Sequence, residues 1–194
     1  LAPVSYFKSS WRTYYAAIHD ADVMLDNAYR FPMSEEIVDI YRLQAYFVKG
    51  VCYFWLARAW GEVPIVPDSE SIEVKLAKSS VTEVLEEATK WALKAMDLPK
   101  YEDLKDYAGN KRTSKQYASK GAAAALLANI YAWRAGLENK KEYWEEAEKY
   151  CTMIIENKVG TYGLGTDPED VCNRVFKGGS EESIWEIYRT FTAA

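Results

Sequence analysis

The sequence predicts a mainly α fold of antiparallel helix hairpins, with loop-rich insertions and a short C-terminal strand. Three observations predict it. Apolar or small residues recur at Ile37, Tyr41, Ala45, Val48, Cys52, Leu56 and Ala59, in steps of three and four that draw one stripe along a helix over 35–60. Segments at about 10–29, 81–97, 115–135 and 142–157 repeat that periodicity between caps and breakers. After Gly160 the spacing changes: six Gly or Pro residues break the chain up to Gly179, and Ser183-Ile-Trp-Glu-Ile-Tyr188 alternates as a short strand does.

The helix over 35–60 organises the rest. From Ala45 onward Phe47, Val51, Tyr53, Phe54 and Trp55 fill its other faces, and only Lys49 and Arg58 interrupt the apolar cover. A helix apolar nearly all round is covered by other elements. Ser34 is placed to cap it, with Glu35 and Glu36 where a helix N-terminus favours negative charge. Gly61 can take a positive φ after its last turn, and Pro64 and Pro67 force an extended chain beyond.

The first helix carries Trp11, Tyr14 or Tyr15, Ile18, Ala21 or Asp22, Leu25 and Tyr29 at helical spacing, and Phe31-Pro32 ends it. Ser80-Val-Thr-Glu83 has capping-box spacing and opens an amphipathic helix that runs to Leu98-Pro99. Ser114 is read as the cap of the next helix, closed by Gly136. Its run Gly121 to Ala125 has so little bulk that a neighbouring helix can approach the backbone. Asn139-Lys-Lys-Glu142 is read as a further cap, before a stripe of Trp144, Ala147, Tyr150, Cys151, Ile154 and Ile155.

A net charge of −5 and a pI near 5.1 argue against nucleic-acid binding through a generally basic surface, and leave neutral ligands open. The uninterrupted apolar run of the 35–60 helix, Val51 to Ala57, is far below the roughly 18 residues of a membrane span. Three cysteines, Cys52, Cys151 and Cys172, cannot all pair with each other, and the first two are placed on apolar helical faces. The chain opens on Leu1-Ala-Pro without a signal segment or lipid-attachment cysteine, and closes on Phe191-Thr-Ala-Ala. This suggests a fragment cut from a longer protein.

The helices also repeat. Leu126 to Ile155, set beside Gly50 to Gly61 followed by Val81 to Met96, gives the same unit twice: a packed helix, then a helix with a small Ala near an aromatic. The Ala147/Tyr150 and Ala88/Trp91 pairs mark it. The unit resembles a tetratricopeptide hairpin of about 34 residues, with a longer connection in the earlier copy.

Three stretches, in order, resemble the SusD/RagB family of nutrient-binding outer-membrane lipoproteins. They are YRLQAYFVKGVCYFWLARAWGEVPIVPD from Tyr41, SKGAAAALLANIYAWRAG from Ser119, and Glu181-Glu-Ser-Ile-Trp-Glu-Ile187. The resemblance implies one tetratricopeptide-like helical domain over 1–194, the N-terminal portion of a longer chain. It implies a lipid-anchored protein on the external face of a Bacteroidetes-type outer membrane, its lipid attached N-terminal to this chain. The implied partner is a SusC-like TonB-dependent transporter, to which glycan or peptide is delivered. Asp22 departs from the Asn common in the family and puts that local contact in doubt.

Sugar capture needs a flat aromatic face over the C–H face of a pyranose, with amides, carboxylates or Arg for the hydroxyls. Most aromatics here fall on helical stripes and read as core. The ligand-binding candidates are Tyr6, Trp11 and Arg12, an aromatic-plus-donor group at the start of the first helix, where a hydrophobic staple is the plainer alternative. Trp60 reads as packing at the Gly61 turn, and at least one of Trp185 and Tyr188 faces the core.

No catalytic residue, metal or cofactor is expected. His19 lies with Asp20 and Asp22 on what reads as a solvated helix face. There is no His-Glu-x-x-His, Gly-x-Ser-x-Gly or Cys-x-x-Cys, and Gly163-Leu-Gly165 lacks the third glycine of a nucleotide loop. Asp167, Glu169 and Asp170 could hold Ca²⁺ only if their loop curled inward. The leading expectation is a non-enzymatic glycan-binding surface lipoprotein. The rivals are a helical protein-interaction module and a peptide-binding relative.

Overall fold

The apolar cover of residues 35–60 folds as one uninterrupted helix, and the other elements close on it. A computed structural model describes residues 4–70 and 75–188, with side chains from Trp11 onward. Its α-helices are α1 (Val4–Asn27), α2 (Glu35–Trp60), α3 (Val81–Lys94), α4 (Lys120–Glu138), α5 (Lys141–Ile155) and α6 (Pro168–Asn173). Helix α1 packs on α2, α2 pairs with α3, α4 pairs with α5, and α3 meets α4. This is the expected mainly α, tetratricopeptide-like architecture. None of the helices is long and apolar enough to cross a membrane, among the described residues.

Phe47 and Phe54 are buried, as a sheathed central helix requires. Ser34 sits at the N-cap in an extended conformation, but its side chain makes no capping hydrogen bond. The acidic first turn is left to favour that end. At the other end the Gly61 N–H bonds the Ala57 carbonyl at 3.0 Å, with φ at +74°. Beyond it half-buried Tyr15 and buried Tyr53 fix the Pro64–Val66 segment: Tyr15 donates to the Pro64 carbonyl at 2.6 Å, and the Val66 N–H donates to the Tyr53 oxygen at 3.1 Å. Val63 is fully buried and its carbonyl accepts the Ser79 N–H at 3.0 Å, so both ends of the 61–79 connection are fastened together.

The two hairpins share an aromatic clasp. In the first, Tyr46 of α2 stacks on Trp91 of α3 at 5.3 Å; in the second, Tyr131 of α4 stacks on Tyr150 of α5 at 5.9 Å. In each, a buried Ala three residues earlier, Ala88 or Ala147, admits the partner helix. Arg134 bridges the hairpins: it donates to Glu138 at 2.8 Å, to Tyr143 at 2.8 Å and to Thr89 of α3 at 3.4 Å. Burial disfavours the Glu138 carboxylate, yet bonds from Arg134 and Lys140 hold its pKa below the usual range.

The capping box of α3 forms as its spacing predicts, with the Glu83 N–H on Ser80 Oγ at 3.3 Å and the Ser80 N–H on Glu83 Oε2 at 2.7 Å. The Ser80 hydroxyl, which donates to Glu83 Oε2 at 2.8 Å, lowers the Glu83 carboxyl pKa most, and the Ser80 N–H adds to it. A depressed carboxyl stabilises the fold above its unfolded pKa, about 4.3 for Glu, and that contribution is lost as pH falls through the native value. Ser80→Ala is therefore expected to lower the melting temperature at pH 7 and to lower it less at pH 3, read by circular dichroism. Equal losses at both pH values would discount the Glu83 bonds.

Several boundaries differ from expectation. Helix α4 is capped by Ser119, whose hydroxyl accepts the Ala122 N–H at 3.3 Å, and not by Ser114. Ser114 accepts the Gln116 N–H in a turn, while Gln44 of α2 clamps both backbone groups of Ala118, at 2.7 and 2.9 Å, and keeps 115–118 out of the helix. The helix closes at Asn139, in the left-handed region at φ +50°, three residues past Gly136. Lys140, not Asn139, occupies the N-cap of α5. Gly121 is approached by the Tyr162 side chain rather than by a helix: a Cβ there would lie 1.9 Å from the phenol oxygen.

On α5 the covered face is centred on Ala147 and Tyr150, so Trp144, Cys151 and Ile155 point outward, one position round from the expected stripe. Cys52 is buried as expected, and burial pushes its thiol up to about 12.

After Gly160 the described residues hold a short helix that was not expected, α6, and no strand ladder. Asp167 caps α6 by accepting the Asp170 N–H at 2.9 Å, with Pro168 in the first turn. Ser183–Tyr188 is irregular and faces the irregular 115–118 segment, which offers single bonds: Glu186 N–H to the Lys115 carbonyl at 3.1 Å and the Trp185 indole to the Gln116 carbonyl at 2.9 Å. A strand needs a regular partner, and none runs beside it among the described residues. Trp185 turns inward onto Phe47 at 5.1 Å, while Tyr188 is exposed.

Candidate functional site

Aromatic rings gather where α1 crosses the C-terminal half of α2. Trp11 packs on Tyr15 at 5.1 Å and edge-on to Trp60 at 5.5 Å; Tyr14 meets both Trp60 at 5.8 Å and Trp55 at 5.7 Å. Burial raises the Tyr14 phenol pKa, with Cys52 adding to it, and burial raises that of Tyr15, so both stay protonated at neutral pH. The cluster ends in an open cleft of about 440 Å³, lined by Tyr14, Trp55, Arg58, Ala59 and Trp133. Trp133 comes from α4 and is 42% exposed.

Arg58 is the charged group of the cleft. Its guanidinium lies 4.8 Å from the Trp133 ring centroid and 5.3 Å from that of Phe54, which holds a planar, five-donor group against flat aromatic faces. Trp55 and Arg58 also form one wall of a neighbouring cavity of about 250 Å³, where Asn129 and Trp185 approach from α4 and the C-terminal segment. Exposed rings beside fixed donors suit a ligand with one apolar face and a hydroxyl-rich edge.

Of the predicted candidates, only Trp11 is joined to the ring cluster. Trp11 is half-buried, joined through Trp60 to Tyr14, and Arg12 is exposed; the Tyr6 side chain lies outside the described residues. Trp60 packs at the Gly61 turn as expected. The reading from sequence missed the pairing of Arg58 with Trp133, since Arg58 was read only as an interruption in the apolar cover of its own helix and Trp133 belongs to another. The available signal was Arg58 itself, one of two charges in an otherwise apolar cover. His19 and Asp20 are exposed, but Asp22 turns inward and pairs with buried Lys49, which corrects its assignment to a solvated face.

The other acidic and glycine-rich features are spent on local structure. Asp170 pairs with Arg174 at 2.7 Å, Arg174 reaches Glu181 at 2.6 Å, and the Gly165 N–H donates to the Glu182 carboxylate at 2.8 Å. A carboxylate there opposes a phosphate. Among the described residues no group of three or more His, Cys, Asp or Glu is arranged to hold a metal.

Fold and surface together define a helical-hairpin scaffold bearing an aromatic cleft. Residues 3–132 match a SusD-like family described as starch-binding and associating with the outer membrane. The chain belongs to the SusD/RagB family. It is 27% identical over 163 residues to a SusD-like protein of Formosa agariphila, covering 82% of this chain and 29% of the relative. A SusD superfamily protein of Parabacteroides distasonis is similar at 28% identity and a TM-score of 0.71, over 84% of this chain and 34% of that one. A SusD homologue of Bacteroides thetaiotaomicron, at 24% identity and a TM-score of 0.75 over 93% of this chain and 38% of that one, shares the fold. The chain thus spans less than two-fifths of the length of these relatives.

Proposed function

We propose that this chain is part of a non-enzymatic, lipid-anchored cell-surface protein that captures oligosaccharide and delivers it to a SusC-like TonB-dependent transporter. The observation that carries the binding reading is the cleft in which Trp55, Trp133 and Tyr14 surround a guanidinium already fixed against rings. The family's description as starch-binding and associating with the outer membrane favours a glycan over a peptide. Tyr6, Trp11 and Arg12 are the further ligand contacts that this reading assigns to the start of the first helix.

Titration calorimetry of the full-length protein against linear α- and β-linked oligosaccharides, with a peptide panel alongside, tests the reading. Trp133→Ala is expected to weaken glycan binding about tenfold, the loss of one stacked ring. Trp11→Ala is expected to weaken it less. Binding to peptides alone would shift the cargo, and recovery of no transporter on affinity purification from outer membranes would remove the delivery step.

A further inference from the structure

A separate cavity opens at the other end of α2, about 25 Å from Arg58 along the helix axis at roughly 1.5 Å per residue. It measures about 490 Å³, within the range of roughly 300–1,000 Å³ typical of ligand pockets. Glu36 and Tyr41 line it from the helix, and Asp103, Tyr107 and Arg112 from the loop over 99–112.

Tyr107 is 72% exposed, yet its turn is stapled. The Asp106 carboxylate accepts the Ala108 N–H at 2.9 Å, the Asn110 N–H at 2.8 Å and the Asn110 side-chain amide at 3.2 Å. The Asp106 N–H donates to the Asn110 carbonyl at 2.8 Å, and Gly109 closes the turn at φ +84°. Arg112 is fixed as well: its N–H donates to the Leu104 carbonyl at 2.9 Å, its Nε donates to the Lys105 carbonyl at 3.3 Å, and its guanidinium lies 3.4 Å from the Tyr117 centroid. A turn and a donor held in place before binding lose little entropy when a ligand arrives.

Charge then selects the ligand. Glu36, Asp103 and Asp106 set three carboxylates against Lys105 and Arg112, which offers acceptors for hydroxyls and repels an added anion. We propose that this cavity is a second carbohydrate subsite, in which a neutral pyranose stacks on Tyr107 and hydrogen-bonds Asp103, Glu36 and Arg112. The proposal rests on the glycan reading but not on the aromatic cleft.

The test is calorimetry of the full-length protein with neutral gluco-, xylo- and manno-oligosaccharides and with an oligogalacturonate. Tyr107→Ala is expected to weaken the best neutral ligand about tenfold or to remove one binding event per chain. Asp103→Asn should weaken the same event, and the oligogalacturonate should not compete for it. Tyr107 lies on an exposed turn, so the variant keeps its melting temperature. Neutral-sugar binding that Tyr107→Ala leaves untouched while Trp133→Ala reduces it overturns the second subsite alone. A wild-type protein that binds no sugar overturns both.

Discussion

Replacing Lys49 by methionine should destabilise the protein by about 3–5 kcal/mol at pH 7, the expected result of removing one member of a buried ion pair. Lys49 and Asp22 are 1% and 4% exposed and join α2 to α1. The Lys49 ammonium also lies 3.9 Å from the Trp91 centroid, and Asp22 Oδ2 has no hydrogen-bond partner among the described residues. Methionine keeps the four-atom apolar stem and drops only the ammonium, so the loss falls mainly on charge rather than packing. Burial already raises the Asp22 carboxyl pKa, repulsion from Asp26 and Asp68 adds to this, and Lys49 offsets part of it. Without Lys49 the carboxyl rises further. A carboxyl whose native pKa exceeds its unfolded value, about 3.9, binds more protons folded than unfolded. Its stability is therefore kept near pH 4 and lost as pH rises towards the native pKa. Urea melts should show the variant recovering part of its deficit at pH 4.5. A paired Asp22→Leu, Lys49→Met protein should return close to wild-type stability, because no charge is then stranded. A single variant that melts with wild type at pH 7 would remove the pair from the account of stability.

That pair also marks where sequence stops specifying contacts. The helical stripe from Ile37 to Ala59 was legible because a period near 3.6 survives whatever the helix touches, and α2 runs over the residues it gave, Glu35–Trp60. The Ser80 box was legible because both partners lie within four residues. Ser114 and Ser119 look alike as caps; Gln44, more than 70 residues away in sequence, decides between them by clamping Ala118. The same holds for the cleft. Arg58 and Trp133 lie on different helices, and only the α2–α4 approach brings the guanidinium to the ring. Asp167-Pro168 is the reverse case: an N-cap followed by Pro at the first helical position is a local signal for α6 that a glycine-rich setting obscured.

Gly50→Val should destabilise by about 3 kcal/mol through overpacking, while Gly50→Ala stays within about 1 kcal/mol of wild type. A Cβ at residue 50 would lie 3.1 Å from the Ala92 nitrogen, 3.3 Å from the Ala88 oxygen and 3.2 Å from Leu126 Cδ2. For alanine, the helix-propensity gain of about 1 kcal/mol over glycine opposes the small displacement those contacts demand. Valine adds two γ carbons in a stiff rotamer, and the opposing atoms differ in what they can yield. Leu126 can turn aside; the backbone of α3 at Ala88 and Ala92 cannot move without withdrawing from α2. Tyr46 and Trp91, stacked across the same pair of helices, would part with it. Urea midpoints should therefore fall steeply from Ala to Val. The tryptophan emission, to which Trp91 is one of seven contributors, should shift to longer wavelength in the folded Val variant. A valine protein with unchanged midpoint and emission would mean that the spacing of the first hairpin is set elsewhere than at Gly50.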